Sequence, residues 1–403
     1  LLAHKKYSYN GKDYGQEKKI KELQSKLPSI KNIIVFDSTF DSWNLNSNYW
    51  IDFELESVKF DHPIWVLFSS GTTGKPKAIT HGTGGILLEQ YKSHSLHQNI
   101  MSGDRFFWNT TTGWMMWNYA LGSLLCGATL CLYDGSANFP DIGVQWRFAK
   151  EAKINHFGNG SPLFIASMKQ NSKDVNNENL KFIKTIGATG SPLSIEAFKW
   201  LQKKLPTTQI ISLSGGTDVC SAFIGGCPKL PVYAGFLQCN MLGASIQAWD
   251  ENGKSIKGKT GELVITEPLP SMPVFFWGDE NFEKYNDSYF SENQEVWTHG
   301  DWIFIDELRG VLMQGRSDAT LNRNGIRIGT SEIYSVLDGI KEIKDSLIID
   351  LNIGSSSKLI LFLESEHELN KDFRSNIIKT IKSKCSPRHA PNLIFSISQV
   401  PYT

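Results

Sequence analysis

FSSGTTGKPKAITHG (residues 68–82) follows the apolar run PIWVL (63–67) and holds three glycines, five hydroxyl side chains and two lysines in fifteen positions. Flexible backbone at the end of a strand can wrap phosphate oxygens with main-chain N–H groups, while hydroxyls and a lysine add charge-assisted donors. Ser69, Ser70, Gly71, Thr72, Thr73, Gly74, Lys75 and Lys77 suit that task. The spacing is not that of the Walker loop G-x-x-x-x-G-K-[ST]: Ser69 stands where its first glycine belongs and Pro76 where its hydroxyl belongs. A kinase-type phosphate loop is thereby disfavoured. A solvated polar loop is the plain alternative.

Outward from this loop, apolar and β-branched runs recur with helix-sized segments between them: IIVFD (33–37), IWVLF (64–68), TLCLY (129–133), FIKTIGA (182–188), QIISLS (209–214), ELVIT (262–266) and WIFID (302–306). That alternation predicts an α/β protein with a mostly parallel sheet in a large N-terminal domain. From ELVIT onward the strands crowd together around turns such as DENGK (250–254), which predicts a small β-rich subdomain. A compact α+β module follows: helix 331–340, strands 346–351 and 358–364, helix 371–384 and strand 393–397. The expected division is therefore a large domain, 1–317, and a small C-terminal domain, 318–403, joined by a hinge.

Lys+Arg 41 balances Asp+Glu 41 over 403 residues, so no global charge steers the chain toward nucleic acid or an anionic membrane. No apolar run reaches the roughly 20 residues of a membrane span, and six cysteines without a C-x-x-C pair favour neither a zinc site nor a disulfide framework. A reducing cytosol is the expected compartment. Both ends, LLAHKKY and QVPYT, read as cut from a longer protein.

The pattern S-S-G-T-T-G-x-P-K resembles the signature loop of the adenylate-forming superfamily: acyl-CoA synthetases, adenylation domains of peptide synthetases, and luciferases. Four further segments fall in that family's order, SLSGGTDVCS (212–221), GELVI (261–265), THGDW (298–302) and GRSDATLNRNGIRIGTSEIY (315–334). The resemblance implies ATP, Mg²⁺ and coenzyme A as cofactors and co-substrates. It implies that Thr217 and Asp218 face ATP and the metal, with Asp218 as the metal ligand and Lys75 as a further catalytic group. It places Asp301 and Arg316 toward the ribose, Arg327 toward the phosphate, Asp318 at the hinge and Gly325 toward CoA. Gly190, Ser191, Pro192, Ser214, Gly215 and Gly216 would border the nucleotide. The family's final motif carries a catalytic lysine shortly beyond a segment like VPYT, and the sequence stops at Thr403.

A carboxylate resists thiol attack until it is joined to a good leaving group, and AMP supplies one. Bringing that carboxylate to the α-phosphate demands positioning and charge neutralisation more than a general base. Thr217→Ala or Asp218→Ala is accordingly expected to lower adenylation roughly 100-fold with the fold intact. Basic residues of the small domain, Lys382 and Arg388, are candidates for the anionic phosphates of CoA, and solvated lysines on a helix are the bland reading.

The acyl pocket is expected between GWMMW (113–117), GATGSP (187–192) and SGGTD (214–218), lined by Trp114, Met115, Met116, Thr189 and Gly215. In the similar acetyl-CoA synthetases a bulky Trp stands at the place of Gly215, so its absence suggests an acid larger than acetate, while two long methionines limit the depth. Thr80 and His81 are expected to cap the next helix, and His156 to be packed. Segments such as TTTGWMMWNYALGSLLCGATLCLYDGS (110–136), FGNGSP (157–162), FWGDENFEKY (276–285) and SPRHAP (386–391) resemble the acetoacetyl-CoA synthetases in particular, which implies acetoacetate as the acid. A propionate or butyrate synthetase and a nucleotide-binding relic without ligase activity remain alternatives.

Overall fold

In the computed structural model, residues 1–36, 54–69, 76–308, 310–317, 320–323, 326–337, 340, 342–353, 356–365 and 367–401 are described. The strand before the glycine-rich loop turns back on itself. Pro63–Ser69 and Lys77–Gly82 pair antiparallel, with Ser69 opposite Lys77, and Phe275–Phe276 adds a third strand to the outer edge of Lys77–Gly82. IWVLF therefore lies outside the parallel sheet that its spacing suggested.

That parallel sheet has five strands in the order Gln209–Ser212, Thr185–Thr189, His156–Gly160, Arg105–Trp108 and Thr129–Leu130. Adjacent residues of a strand point to opposite faces. Phe107 accordingly joins one core, with Trp146, Phe157, Phe164 and the helices Val144–Glu151, Ser161–Lys169 and Ile195–Lys204, while Phe106 joins another with Trp108, Tyr119, Leu213 and Met241. The Trp108 indole lies across its neighbouring strands so closely that a Cβ at Gly158 or Gly187 would stand 2.1 or 2.5 Å from it. These glycines let an indole lie flat on the sheet.

Ser214–Gly216, Ser221–Gly225 and Cys239–Asn240 form a small antiparallel sheet. The expected β-rich subdomain is a five-stranded antiparallel sheet, Ser255–Ile256, Ile246–Trp249, Thr260–Ile265, Trp297–Ile305 and Val311–Arg316. The C-terminal unit has its own core, drawn from Leu321 onward, with helix Lys371–Lys384 against strands Ile343–Ile353, Ser356–Ser365 and Leu393–Ser396. Among the described residues, no helix is long and apolar enough to cross a membrane.

Behind the parallel sheet, helix Thr83–Lys92 continues into a π-helical turn, Ser93–His97, packed with buried polar groups. His94 is fully buried, stacked obliquely 4.3 Å from Tyr119 and edge-on to Phe106, and its Nδ1–H donates to the Gln90 carbonyl at 2.7 Å. Burial draws its pKa from 6.5 down to about 4. The folded protein thus keeps this imidazole neutral where the unfolded chain takes up a proton. Stability from this group is complete above pH 6.5 and declines as pH falls toward 4, by about 2 kcal/mol between pH 7 and pH 5. Burial lowers the pKa of His81, His97 and His156 in the same direction. Urea denaturation at pH 7 and pH 5 should show the lower stability at pH 5. A flat profile would remove His94 from this role.

Candidate functional site

Three parallel strands end side by side. Thr189 is level with Gly160, and Ala188 with Ser212, so GSP (160–162), TGSP (189–192) and LSGG (213–216) emerge along one edge. Ligands in open α/β sheets bind outside the carboxyl ends of the strands. The Thr189 hydroxyl donates to the Leu213 carbonyl at 3.0 Å and the Ser161 hydroxyl to the Ser191 carbonyl at 2.6 Å, which lace the three exits together. Gly190 adopts φ +85° in the middle exit. Pro192 is exposed, whereas Gly190, Ser191, Ser214, Gly215, Gly216 and Thr217 are half-buried.

A ring of three side-chain amides holds this edge from below. The Gln145 amide donates to Asn109 Oδ1 at 2.8 Å, Asn159 donates to Gln145 Oε1 at 2.7 Å, and Asn109 closes the ring to Asn159 Oδ1 at 3.4 Å. Asn159 Oδ1 also accepts the Gly160 N–H at 2.9 Å. Each amide both donates and accepts, so the strand ends are fixed without charge. Sequence reasoning missed this ring. Its signal was an asparagine directly after one apolar strand, and another inside FGNG, where side chains should be apolar.

Asp218, directly after Thr217, is 2% exposed. Its Oδ1 accepts from Lys77 Nζ at 2.9 Å and from the Tyr289 hydroxyl at 2.6 Å, while its main-chain carbonyl accepts from His81 Nε2 at 2.9 Å. The Lys77 ammonium also lies 4.8 Å above the Tyr289 ring, and Tyr289 stacks on Trp297 at 3.6 Å. Lys77 and Asp218, expected to serve the nucleotide separately, are thus one partly buried ion pair joining the Lys77–Gly82 strand to the turn after Gly216. His81 and Thr80 are strand residues, both fully buried, and neither caps a helix: Gly82 occupies the N-cap of Thr83–Lys92.

This arrangement bears on the metal. Mg²⁺ in phosphate-transfer sites is held by one or two carboxylates together with substrate phosphates. Asp218 offers one, but its Oδ1 is already occupied by an ammonium and a hydroxyl, and among the described residues no group of three acidic, His or Cys side chains could hold a metal. Asp218 Oδ1 is thus committed to Lys77 and Tyr289. It acts as the counter-ion of Lys77.

Asp301 is buried on Trp297–Ile305, where its main chain pairs with Arg316, and its Oδ2 is 3.6 Å from His299 Nε2. His299 sets its ring edge on Phe223 of the Ser221–Gly225 strand at 4.7 Å, which ties the Asp301 strand to the Asp218 sheet. Glu262 Oε1 accepts both the Gly300 N–H at 3.1 Å and the Ser317 hydroxyl at 2.7 Å, while the Ser317 N–H donates to the Gly300 carbonyl at 2.9 Å. Burial raises the Glu262 carboxyl above its ordinary range, an effect the Ser317 hydrogen bond opposes. The glutamate of GELVI thereby fastens the turn before Asp301 to the residue before the expected hinge. Its signal was a carboxylate at the head of the otherwise apolar run GELVI.

Met115 and Met116 begin helix Met115–Gly122 and pack, half-buried, on the cluster of Phe106, Trp108, Tyr119 and Leu213. Trp114, just before the helix, is 42% exposed, and the Arg388 guanidinium lies 5.2 Å from its ring centre. Lys382 is exposed on the outer side of Lys371–Lys384. Gly215 corrects an expectation. A Cβ there would stand 2.0 Å from the Ser221 carbonyl oxygen and 2.5 Å from Ala222 Cα, so the missing ring leaves no hollow at that point. Ser69 is buried with its hydroxyl unpartnered among the described residues. Ser70, Gly71, Thr72, Thr73, Gly74, Lys75, Asp318 and Gly325 lie outside the described residues. Arg327 belongs to strand Ile326–Gly329, where its main chain faces Asn322.

The family described as AMP-binding enzyme matches residues 8–272, and the chain belongs to that family. More particularly, it is 38% identical to the acetoacetyl-CoA synthetase of Rattus norvegicus over 418 residues, 98% of this chain and 62% of that protein. It is 37% identical to the acetoacetyl-coenzyme A synthetase of Rhizobium meliloti (strain 1021) over 412 residues, 98% of this chain and 63% of that protein. The solved acetoacetyl-CoA synthetase from Streptomyces lividans superposes with a TM-score of 0.74 at 39% identity, over 100% of this chain and 64% of that one. The chain therefore spans somewhat less than two thirds of the length of these relatives.

Proposed function

We propose that this chain is the nucleotide- and acid-binding part of an acid–thiol ligase that activates acetoacetate with ATP and passes the acyl group to coenzyme A. The observation that carries the reading is the Lys77–Asp218 pair beside the three laced strand exits, in a chain whose relatives named acetoacetyl-CoA synthetase match 98% of it at 37–38% identity. In the first step a carboxylate oxygen of acetoacetate attacks the α-phosphorus. That P–O bond forms as the bond to the β-phosphate breaks, and pyrophosphate leaves with the electron pair. In the second step the CoA sulfur attacks the acyl carbon, the bond to AMP breaks, and the thiol proton goes to solvent.

Each residue has a part in this reading. The exits at Gly190, Ser191, Pro192, Ser214, Gly215 and Gly216 border the nucleotide, with Thr189 where they meet the acyl site and Thr217 offering a hydroxyl to the phosphates. Ser69, Ser70 and the loop through Lys75 clasp those phosphates. Lys77, held by Asp218, places a cation beside them. Asp301 accepts from the ribose hydroxyls, with Arg316 and Arg327 alongside, and Trp114, Met115 and Met116 flank the acid. Residues 318–403 form the second domain, pivoting at Asp318, and bring Gly325 and Lys382 to CoA. Mg²⁺ bound with ATP would supply charge neutralisation at the phosphates, with Asp218 the candidate carboxylate for it. The site would work in the cytosol.

Pyrophosphate exchange in the full-length protein, with acetoacetate, butyrate, propionate and acetate compared, tests the reading. Exchange should be fastest with acetoacetate and at least tenfold slower with the others. Preference for butyrate or propionate would point to the rival short-chain synthetase. Absence of exchange with every one of these acids would leave a nucleotide-binding relic.

A further inference from the structure

Arg388 meets Trp114 across two units that keep separate cores. Both ends of the contact are built on ordered backbone. Arg388 sits in the short turn Pro387–His389, whose start is fixed by the Ser386 hydroxyl: it accepts the Arg388 N–H at 3.2 Å and bonds His389 Nδ1 at 2.9 Å. The Trp114 main-chain N–H donates to the Thr111 carbonyl at 3.1 Å and the Trp114 carbonyl accepts the main-chain N–H of Trp117 at 2.9 Å, and the two methionines that follow are anchored in the core. A guanidinium over an indole within about 6 Å is held by the ring quadrupole. That attraction engages the guanidinium's charge, while its five N–H groups form a planar fork of hydrogen-bond donors. Lys382, by contrast, faces solvent on the outer side of its helix.

Two cations first considered together for CoA thus stand in different surroundings. We propose that Arg388 is a specificity residue lent by the C-terminal unit to the acyl site. Held beside the Trp114 ring, it donates to a hydrogen-bond acceptor on the acyl chain and so favours a β-keto acid over a saturated acid of equal length. The proposal rests on the acid-activating reading above. It also explains why an exposed tryptophan stands at the mouth of the acyl site: the ring is the platform that orients the guanidinium.

The test compares CoA-thioester formation from acetoacetate and from butyrate by the full-length protein and its Arg388→Ala and Arg388→Lys variants. Losing a charged donor should lower the acetoacetate-to-butyrate ratio of kcat/KM about tenfold or more in Arg388→Ala. The KM for CoA should change less than twofold, and Arg388→Lys, which keeps charge without the planar donor fork, should fall between. Equal loss on both acids, or a change confined to the KM for CoA, overturns the proposal. A substrate-free measurement stands beside it. Acrylamide quenching of tryptophan fluorescence should rise on Arg388→Ala in the wild-type background and not in a Trp114→Phe background, and no such difference also overturns it. Wild-type protein that exchanges pyrophosphate with no short-chain acid would fail the earlier reading and the specificity role with it, a result told apart by being seen before any substitution is made.

Discussion

Replacing Asp218 by alanine is expected to lower acetoacetate-dependent pyrophosphate exchange at least 100-fold and, at the same time, to lower the folding stability of the protein. The first effect follows from removing one preorganised electrostatic element of a phosphoryl-transfer site, worth about 3 kcal/mol or more. The second was not expected from sequence, where the same substitution read as harmless to the fold. Asp218 is 2% exposed and Lys77 Nζ is held 2.9 Å away with 21% of its side chain exposed. Removing one partner of a buried pair leaves the other charged and uncompensated, typically about 3–5 kcal/mol. Lys77 retains some access to water, so the lower figure applies. The Tyr289 hydroxyl, which donates to the same oxygen, loses its acceptor as well. Replacing both charges, with Lys77→Met and Asp218→Leu together, should recover most of the stability, since apolar groups of similar volume can substitute for a buried pair. It should recover none of the exchange activity. Denaturation and exchange measured on the two single variants and the double variant decide the matter. If the double variant is as unstable as Asp218→Ala, the pair does not behave as a counter-ion unit. If Asp218→Ala exchanges at the wild-type rate, the carboxylate has no part in the chemistry.

What could be read in advance was what periodicity encodes. The helix at 371–384 and the strands near 346–351 and 358–364 carry their burial pattern in consecutive residues, and they stand as Lys371–Lys384, Ile343–Ile353 and Ser356–Ser365. The strand Trp297–Ile305 was read too short, as beginning at Trp302, for a physical reason. Its first half alternates in burial with polar groups pointing inward: Trp297, His299 and Asp301 are buried. A rule that seeks apolar side chains inside does not register a strand that buries a histidine and an aspartate. The candidate site was legible as a set of segments but not as a set of contacts. Lys77 and Asp218 are 141 positions apart, and Glu262 and Ser317 55 apart, with no local pattern linking them. His81 read as a helix cap because its neighbours are glycines and hydroxyls, yet tertiary contact with the Asp218 carbonyl places it in a strand.

Substitution of Gly215 separates two accounts of how the acid is chosen, and a large effect is expected. Had the glycine simply cleared space for a longer acid, Gly215→Ala would shorten the pocket slightly and shift preference toward smaller acids, leaving the fold untouched. The structure places main chain where that side chain would go: the Ser221 carbonyl oxygen at 2.0 Å and Ala222 Cα at 2.5 Å. No rotamer relieves a clash between a Cβ and backbone. The strands Ser214–Gly216 and Ser221–Gly225, which pair through Gly215 and Ala222, must move apart, and the register already shifts between Ser214 and Gly215. Overpacking of this kind costs about 1–3 kcal/mol even where flexible side chains can give way, and backbone contact argues for the upper end or beyond. Displacing Ser214–Gly216 also moves Thr217 and Asp218, so activity on acetoacetate, butyrate and propionate should fall together, at least tenfold each, with no gain on acetate. Gly215→Trp should be more severe and yield little folded protein. Thermal melting alongside the acid panel reads both effects. A Gly215→Ala protein of unchanged stability whose preference moves toward acetate would restore the open-pocket account and remove the close strand approach as the reason for glycine at this position.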